Sequence, residues 1–192
     1  MAIILKSIQK RFDSRVVLNN LSFTFGNTGL YALSGKSGAG KTTLLRILAG
    51  LESHDAGTVQ IEGHVAVSFQ EYRLLPNLSV LDNILLVLYK KPSDQDRARA
   101  LAMLERLSLL SYAHHLPSEL SGGMKQRVSL ARAFLSDAPI LLLDEPFKEL
   151  DPTLCAEVLA IMRQEARSRL VIFTAHDDSV ASAIGATVIS IV

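Results

Sequence analysis

Apolar residues recur along this chain in two rhythms. Short continuous or alternating runs predict strands at Ile3 to Ile8, Leu21 to Phe25, Gly29 to Leu33, Thr58 to Ile61, Val65 to Phe69, Ile140 to Leu143, Leu170 to Phe173 and Thr187 to Val192. Helical spacing falls between several of them. Lys41 to Ala49 is short and apolar on one face, Ser79 heads a helix with Asp82 three residues on, and Ser93 caps another running from Asp94 towards Leu109. Further helices are predicted from Gly123 to Leu135, Thr153 to Ala166 and Asp178 to Ile184.

Their order predicts the fold class. Strands rich in Leu, Ile and Val, each followed by a helix, call for an α/β protein with a mainly parallel sheet covered on both faces. The early strands, punctuated by Asn and Gly, predict an antiparallel β subdomain, and the strand-free stretch 71–119 predicts an inserted helical subdomain. The expected organisation is one domain over 1–192, with a core of 1–70 and 120–192. It contains no repeats, low-complexity tracts or long linkers.

Composition removes several classes of function. With 192 residues, 48% of them hydrophobic, the chain can bury a proper core. Its 20 Lys and Arg nearly balance 19 Asp and Glu, for a net charge of +1, so no broad field invites nucleic acid. Cys155 is the sole cysteine, which excludes an internal disulfide and reads as a small buried hydrophobe on a helix. No apolar run approaches the roughly 20 residues of a membrane-spanning helix, and the start "MAIILKSIQKRF" reads as a strand rather than a signal peptide. The chain is expected to be soluble by itself and to serve any membrane from the side.

Three motifs carry chemistry. Gly35-Lys36-Ser37-Gly38-Ala39-Gly40-Lys41-Thr42 fits G-x-x-x-x-G-K-[ST], follows a predicted strand and opens a predicted helix. Glycines let the backbone wrap an anion, amides point inward, and the helix presents its positive end. Lys41 would bridge terminal phosphates and Thr42 would ligate Mg²⁺. Next, "ILLLDEP" ends a buried strand in two acids: Asp144 is placed to hold Mg²⁺, and Glu145, one residue beyond, to polarise an attacking water. Finally, in "LSGGMKQR", Ser121 caps a helix whose first turn holds Gly122 and Gly123, a costly choice at about 1 kcal/mol each against alanine. Such a start offers open N–H groups to an anion.

With these motifs in this order, the sequence resembles the ATP-binding subunits of ABC transporters over nearly its whole length. The resemblance implies a P-loop NTPase, with ATP and Mg²⁺ as cofactors and two subunits paired head to tail. Each ATP would lie between the phosphate loop of one subunit and the "LSGGM" helix of the other. It implies nucleotide contacts from Phe12, from Gly35 through Thr42 and Thr43, from Gln70, and across the interface from Ser121, Gly122, Gly123, Gln126 and Asp151. Gln70 would also meet the metal with Thr42 and Asp144, while Lys41, Glu145 and His176 would act on the γ-phosphate. "FQEYRLLPNLSVLDNILL" is similar to bacterial importers of the nitrate, sulfonate and taurine group. That implies a permease partner and a place on the cytoplasmic face of the cell membrane.

Two departures stand out. Where the family commonly reads Ser-Ala-Leu-Asp, this chain has Lys148-Glu149-Leu150-Asp151, a pair of opposite charges that puts close packing of two identical loops in doubt. Before Gln70 only a short hairpin with Gly63 fits. The competing readings are a soluble ABC-type ATPase acting on DNA or ribosomes, for which basic patches and coiled-coil insertions are missing, and a small P-loop kinase, which would not need "LSGGM".

Overall fold

The computed structural model describes residues 3–88, 90–175 and 184–191. By packing they form two compact units, one of Met1–Val67, Ala138–Asp144 and Met162–Val192, the other of Ser68–Asp137 and Glu145–Ile161. In chain order the elements are β1 (Ile3–Phe12), β2 (Arg15–Phe25), β3 (Gly29–Ser34), α1 (Lys41–Leu48), β4 (Ala56–Ile61), β5 (Val65–Ser68), α2 (Val80–Leu85), α3 (Asp94–Arg106), α4 (Gly122–Leu135), β6 (Ile140–Leu143), α5 (Pro152–Glu165), β7 (Leu170–Ala175) and β8 (Thr187–Ser190).

The first unit holds two sheets. One is antiparallel with order β2-β1-β4, as the early strands predicted; the other has order β5-β6-β7-β3-β8, in which β3 runs parallel to β7 and β8 and β6 runs parallel to β7. Every residue of β6 and β7 is buried, which is why those strands are written as unbroken apolar runs. Leu44, Leu45, Ile47 and Leu48 of α1 join Ile3, Leu5, Ile8, Phe25, Leu142 and Ile172 in one core. Burying each such side chain contributes about 1.5–3 kcal/mol. Phe23, Phe25 and Tyr31 close one end through edge-to-face contacts, with ring centroids 4.8 to 6.2 Å apart.

Most strand predictions fall within a few residues of the observed elements, but the expected hairpin at Gly63 does not form. β4 pairs with β1 in the antiparallel sheet, whereas β5 lies at the edge of the other sheet beside β6. The intervening glycine, at φ 98°, turns the chain from one sheet to the other and packs so closely that a Cβ there would lie 2.7 Å from Pro139 Cγ. The helix predicted from Asp178 lies outside the described residues, save for Ile184.

In the second unit, α2, α3 and α4 pack together. Asn83, fully buried, accepts from the Leu75 amide and donates to the carbonyls of Leu75, Leu78 and Ser79, so one side chain folds the loop that leads into α2. The predicted caps form. Ser79 accepts from the Asp82 amide, and Ser93 and Asp96 make a reciprocal capping box.

The Ser93 amide and hydroxyl, with Lys90 nearby, hold the Asp96 carboxyl down at about 2, from an ordinary value of 3.8. A carboxyl depressed by folding stabilises above its unfolded pKa, and that contribution disappears as pH falls from about 4 through 2. Asp96→Asn should therefore lower the denaturation midpoint at pH 7, and the two proteins should converge near pH 2 when their unfolding is followed by circular dichroism.

Candidate functional site

The glycine-rich loop leaves β3 at Ser34 and enters α1 at Lys41. Gly40 stands at the helix N-cap with φ 102°, and a Cβ there would meet Val17 Cγ1 at 2.8 Å and the Val17 carbonyl oxygen at 2.9 Å. Gly40→Ala is therefore expected to cost roughly 2–4 kcal/mol, the sum of left-handed strain and overpacking. Thermal unfolding without nucleotide measures that loss. Lys41 is only 7% exposed, and its ammonium donates to the carbonyls of Gly35 and Lys36. A cation is thus held inside the loop, while Lys36, Ser37 and Gly38 face solvent. Thr43 follows on α1, half-buried.

Strand order sets the next layer. β7 lies between β6 and β3, with Leu143 level with Phe173 and Leu33 level with Thr174, so the residue after β6 arrives beside the C-terminal end of β7. That residue is Asp144, 1% exposed. Its carboxylate accepts from the Thr42 hydroxyl at 2.9 and 3.2 Å and from the Thr174 hydroxyl at 2.8 Å. Residues 102 positions apart are joined at the carboxyl edge of a parallel sheet, where ligands of open α/β folds bind. Thr174 carries no motif and was invisible in the sequence; only the strand order reveals it.

Thr42 and Asp144 together suit a divalent cation of the magnesium type. Both offer hard oxygen donors in direct contact, and such an ion takes the rest of its octahedron from phosphate and water. Among the described residues no cluster of three or more His, Cys, Asp or Glu could hold a metal by itself, so phosphate oxygens would have to complete the shell.

The β1–β2 hairpin contributes Phe12 at its tip, 44% exposed, with the Lys10 ammonium 4.9 Å from the ring centroid. Lys10 in turn bridges to Glu52 at 2.7 Å and Asp55 at 3.6 Å, and the hydrogen bond to Glu52 raises its pKa. Phe12 thus stands on a fixed cation and keeps ring surface in solvent.

The second unit gathers the other predicted residues. Ser121 caps α4 by accepting from the Met124 amide at 3.3 Å, with Gly122 and Gly123 in the first turn. Gln126, 3% exposed, donates to the Glu145 carbonyl at 3.3 Å. Glu145 adopts φ 49°, and its carboxylate lies 3.6 Å from the Lys148 ammonium. Asp151 accepts from the amides of Thr153 and Leu154, capping α5. Gln70 is exposed just beyond β5. His176 lies outside the described residues.

The departure at Lys148-Glu149 has a structural counterpart. The two do not pair with each other: Glu149 accepts from the Tyr72 hydroxyl at 3.4 Å, and its carboxylate stands 2.8 Å from where a Gly122 Cβ would be. Burial first, and Glu149 second, raise the Tyr72 pKa. Arg132 of α4, which the sequence did not single out, donates to the carbonyls of Tyr72 and Arg73 at 3.0 and 2.9 Å and so fastens the segment after Gln70 to the "LSGGM" helix.

The chain is similar to known proteins over most of its length. The ABC transporter family model matches residues 18–148. The aliphatic sulfonates import ATP-binding protein SsuB of Corynebacterium glutamicum is 41% identical over 183 residues, spanning 93% of this chain and 75% of that protein. A sulfate/thiosulfate import ATP-binding protein, CysA 1 of Chromobacterium violaceum, is 41% identical over 181 residues, 85% of this chain and 51% of its own length. Among solved structures, a dimeric bacterial ABC transporter cassette superposes with TM-score 0.87 at 28% identity, covering 98% of this chain and 94% of that one. A dimeric post-hydrolysis state of an ATP-binding cassette, bound to ADP and Pi, gives TM-score 0.86 at the same identity and coverage.

Proposed function

The chain belongs to the ABC transporter family, and on that premise we propose that it is the ATP-hydrolysing subunit that energises a membrane importer. The single observation that carries this reading is the contact between Thr42 and Asp144, which joins the phosphate loop to the acidic end of β6 and builds the two protein oxygens that a nucleotide-bound cation requires.

In this reading Phe12 would stack against the base, the loop amides and Lys41 would hold the phosphates, and Thr42 and Asp144, with Gln70, would hold Mg²⁺. When bound, such an ion would supply charge neutralisation on the phosphates. Ser121, Gly122, Gly123, Gln126 and Asp151 of a second copy complete the site. Donors aimed at the γ-phosphate only in the closed pair amount to preorganisation that exists in one conformational state. Glu145 takes the proton of the attacking water, His176 contacts the γ-phosphate, and loss of the bridging phosphate reopens the pair.

Among the described residues no helix is long and apolar enough to cross a membrane, which fits a subunit that docks on a permease from the cytoplasmic face. Names of the relatives, aliphatic sulfonates and sulfate or thiosulfate import, support a small sulfur oxyanion or similar solute such as nitrate or taurine. That solute would touch the permease rather than this chain. The test is to purify the protein from membranes with its native partner and assay ATP hydrolysis with and without solute. Co-purification of an integral-membrane protein and hydrolysis stimulated by solute support the reading; an active ATPase found only in the soluble fraction points instead to a non-transport ABC-type ATPase.

A further inference from the structure

Arg15 opens β2, directly across the two-residue turn from Phe12, its register partner in β1. The turn is made by Asp13, with φ 51°, and Ser14, a two-residue connection that keeps Phe12 and Arg15 opposite each other. The Arg15 guanidinium reaches out of the antiparallel sheet to the phosphate loop, where Nη2 donates to the Gly38 carbonyl at 2.9 Å. A Cβ on Gly38 would lie 3.1 Å from that same nitrogen, so the absence of a side chain lets the guanidinium lie against the loop backbone.

Among the described residues Arg15 has no carboxylate partner, although Asp13 is only two residues away. One of five N–H groups is committed to Gly38, and the residue is exposed. An arginine that takes a single backbone acceptor and leaves the rest of its planar fork open at a phosphate cradle has the donor geometry and the charge for a phosphate oxygen. Lys41, already inside the loop, supplies a compact point charge to the same cradle.

We propose that Arg15 is a phosphate-binding residue of this nucleotide site, acting on the polyphosphate tail while its neighbour across the turn, Phe12, takes the base. This rests on the ATP-binding reading above and adds a residue to it. The hairpin then reads both ends of the nucleotide, because Phe12 and Arg15 are fixed relative to each other by strand pairing, and Arg15 is fixed relative to the loop by Gly38. Its bond to the Gly38 carbonyl also occupies an oxygen that would otherwise repel an approaching anion.

The experiment measures binding of ATP, and of inorganic tripolyphosphate by competition, to the full chain and to its Arg15→Gln, Arg15→Lys and Lys41→Ala variants. Arg15→Gln should weaken both ligands by about tenfold, the worth of one charge-assisted contact. Arg15→Lys should recover part of the loss, and unfolding without ligand should be unchanged because Arg15 is exposed. Unaltered ATP affinity in Arg15→Gln overturns the proposal, and so does a loss for ATP that spares tripolyphosphate, which would place the effect on the base. A wild-type chain that binds no ATP overturns the functional reading and this inference together, whereas wild-type binding with an indifferent Arg15→Gln overturns this inference alone.

Discussion

Glu145→Gln should reduce ATP turnover by about 10² to 10⁴, the range expected when a positioned general base is removed, while ATP affinity stays within a few-fold of wild type. The backbone permits so narrow a change. Glu145 holds φ 49°, a left-handed conformation that costs about 1–2 kcal/mol in any side chain with a Cβ, so Gln suffers no more than Glu. Gln126 grips the residue through its carbonyl, which the substitution keeps. What is lost is a negative acceptor beside Lys148. Under the proposed mechanism the phosphate that would join two copies is then no longer removed, so the variant should accumulate as a dimer in ATP and return to monomer in ADP. Steady-state hydrolysis and size-exclusion chromatography with each nucleotide check both halves. Wild-type turnover in the variant would remove Glu145 from the base role.

Lys41→Ala should have the opposite signature, with nucleotide binding lost by more than about 10²-fold and no dimer in ATP. An ammonium withdrawn from water and positioned by two carbonyls is a stronger phosphate ligand than a mobile surface lysine, since none of its orientation has to be won on binding. The deletion also leaves the Gly35 and Lys36 carbonyls without that partner, which costs about 1–3 kcal/mol where water cannot replace it. Titration of ATP, with the melting temperature of the ligand-free variant measured alongside, separates the lost contact from a loosened loop. Near-normal ATP affinity in a folded Lys41→Ala would contradict the phosphate role of this loop.

Local signals were strong wherever one physical constraint acts over a few residues. Unbroken apolar runs betrayed β6 and β7 because both faces of those strands are covered. The Ser93 cap and the Ser79–Asp82 pair were readable because a helix start needs acceptors within three residues. The phosphate loop was readable because only glycine fits the turn into α1 beside Val17. The Gly63 hairpin was misread for the same reason in reverse: a glycine between two short strands specifies a turn, but not whether the second strand pairs with the first or crosses to another sheet.

The residues by themselves determined which groups can do chemistry here: an anion-wrapping loop with its lysine, a strand that ends in two acids, and a serine–glycine helix start. Tertiary structure alone decided which of them meet. Thr174 reaches Asp144 because β7 is inserted between β6 and β3, Arg15 reaches Gly38 because the β1–β2 hairpin is held beside the loop, and Glu149 leans on Gly122 because Tyr72 and Arg132 fold that corner together. Periodicity and caps are written in neighbours a turn or less apart, whereas these contacts join residues separated by 23 to 77 positions, and their pairing depends on how distant segments are brought together, which no local pattern encodes.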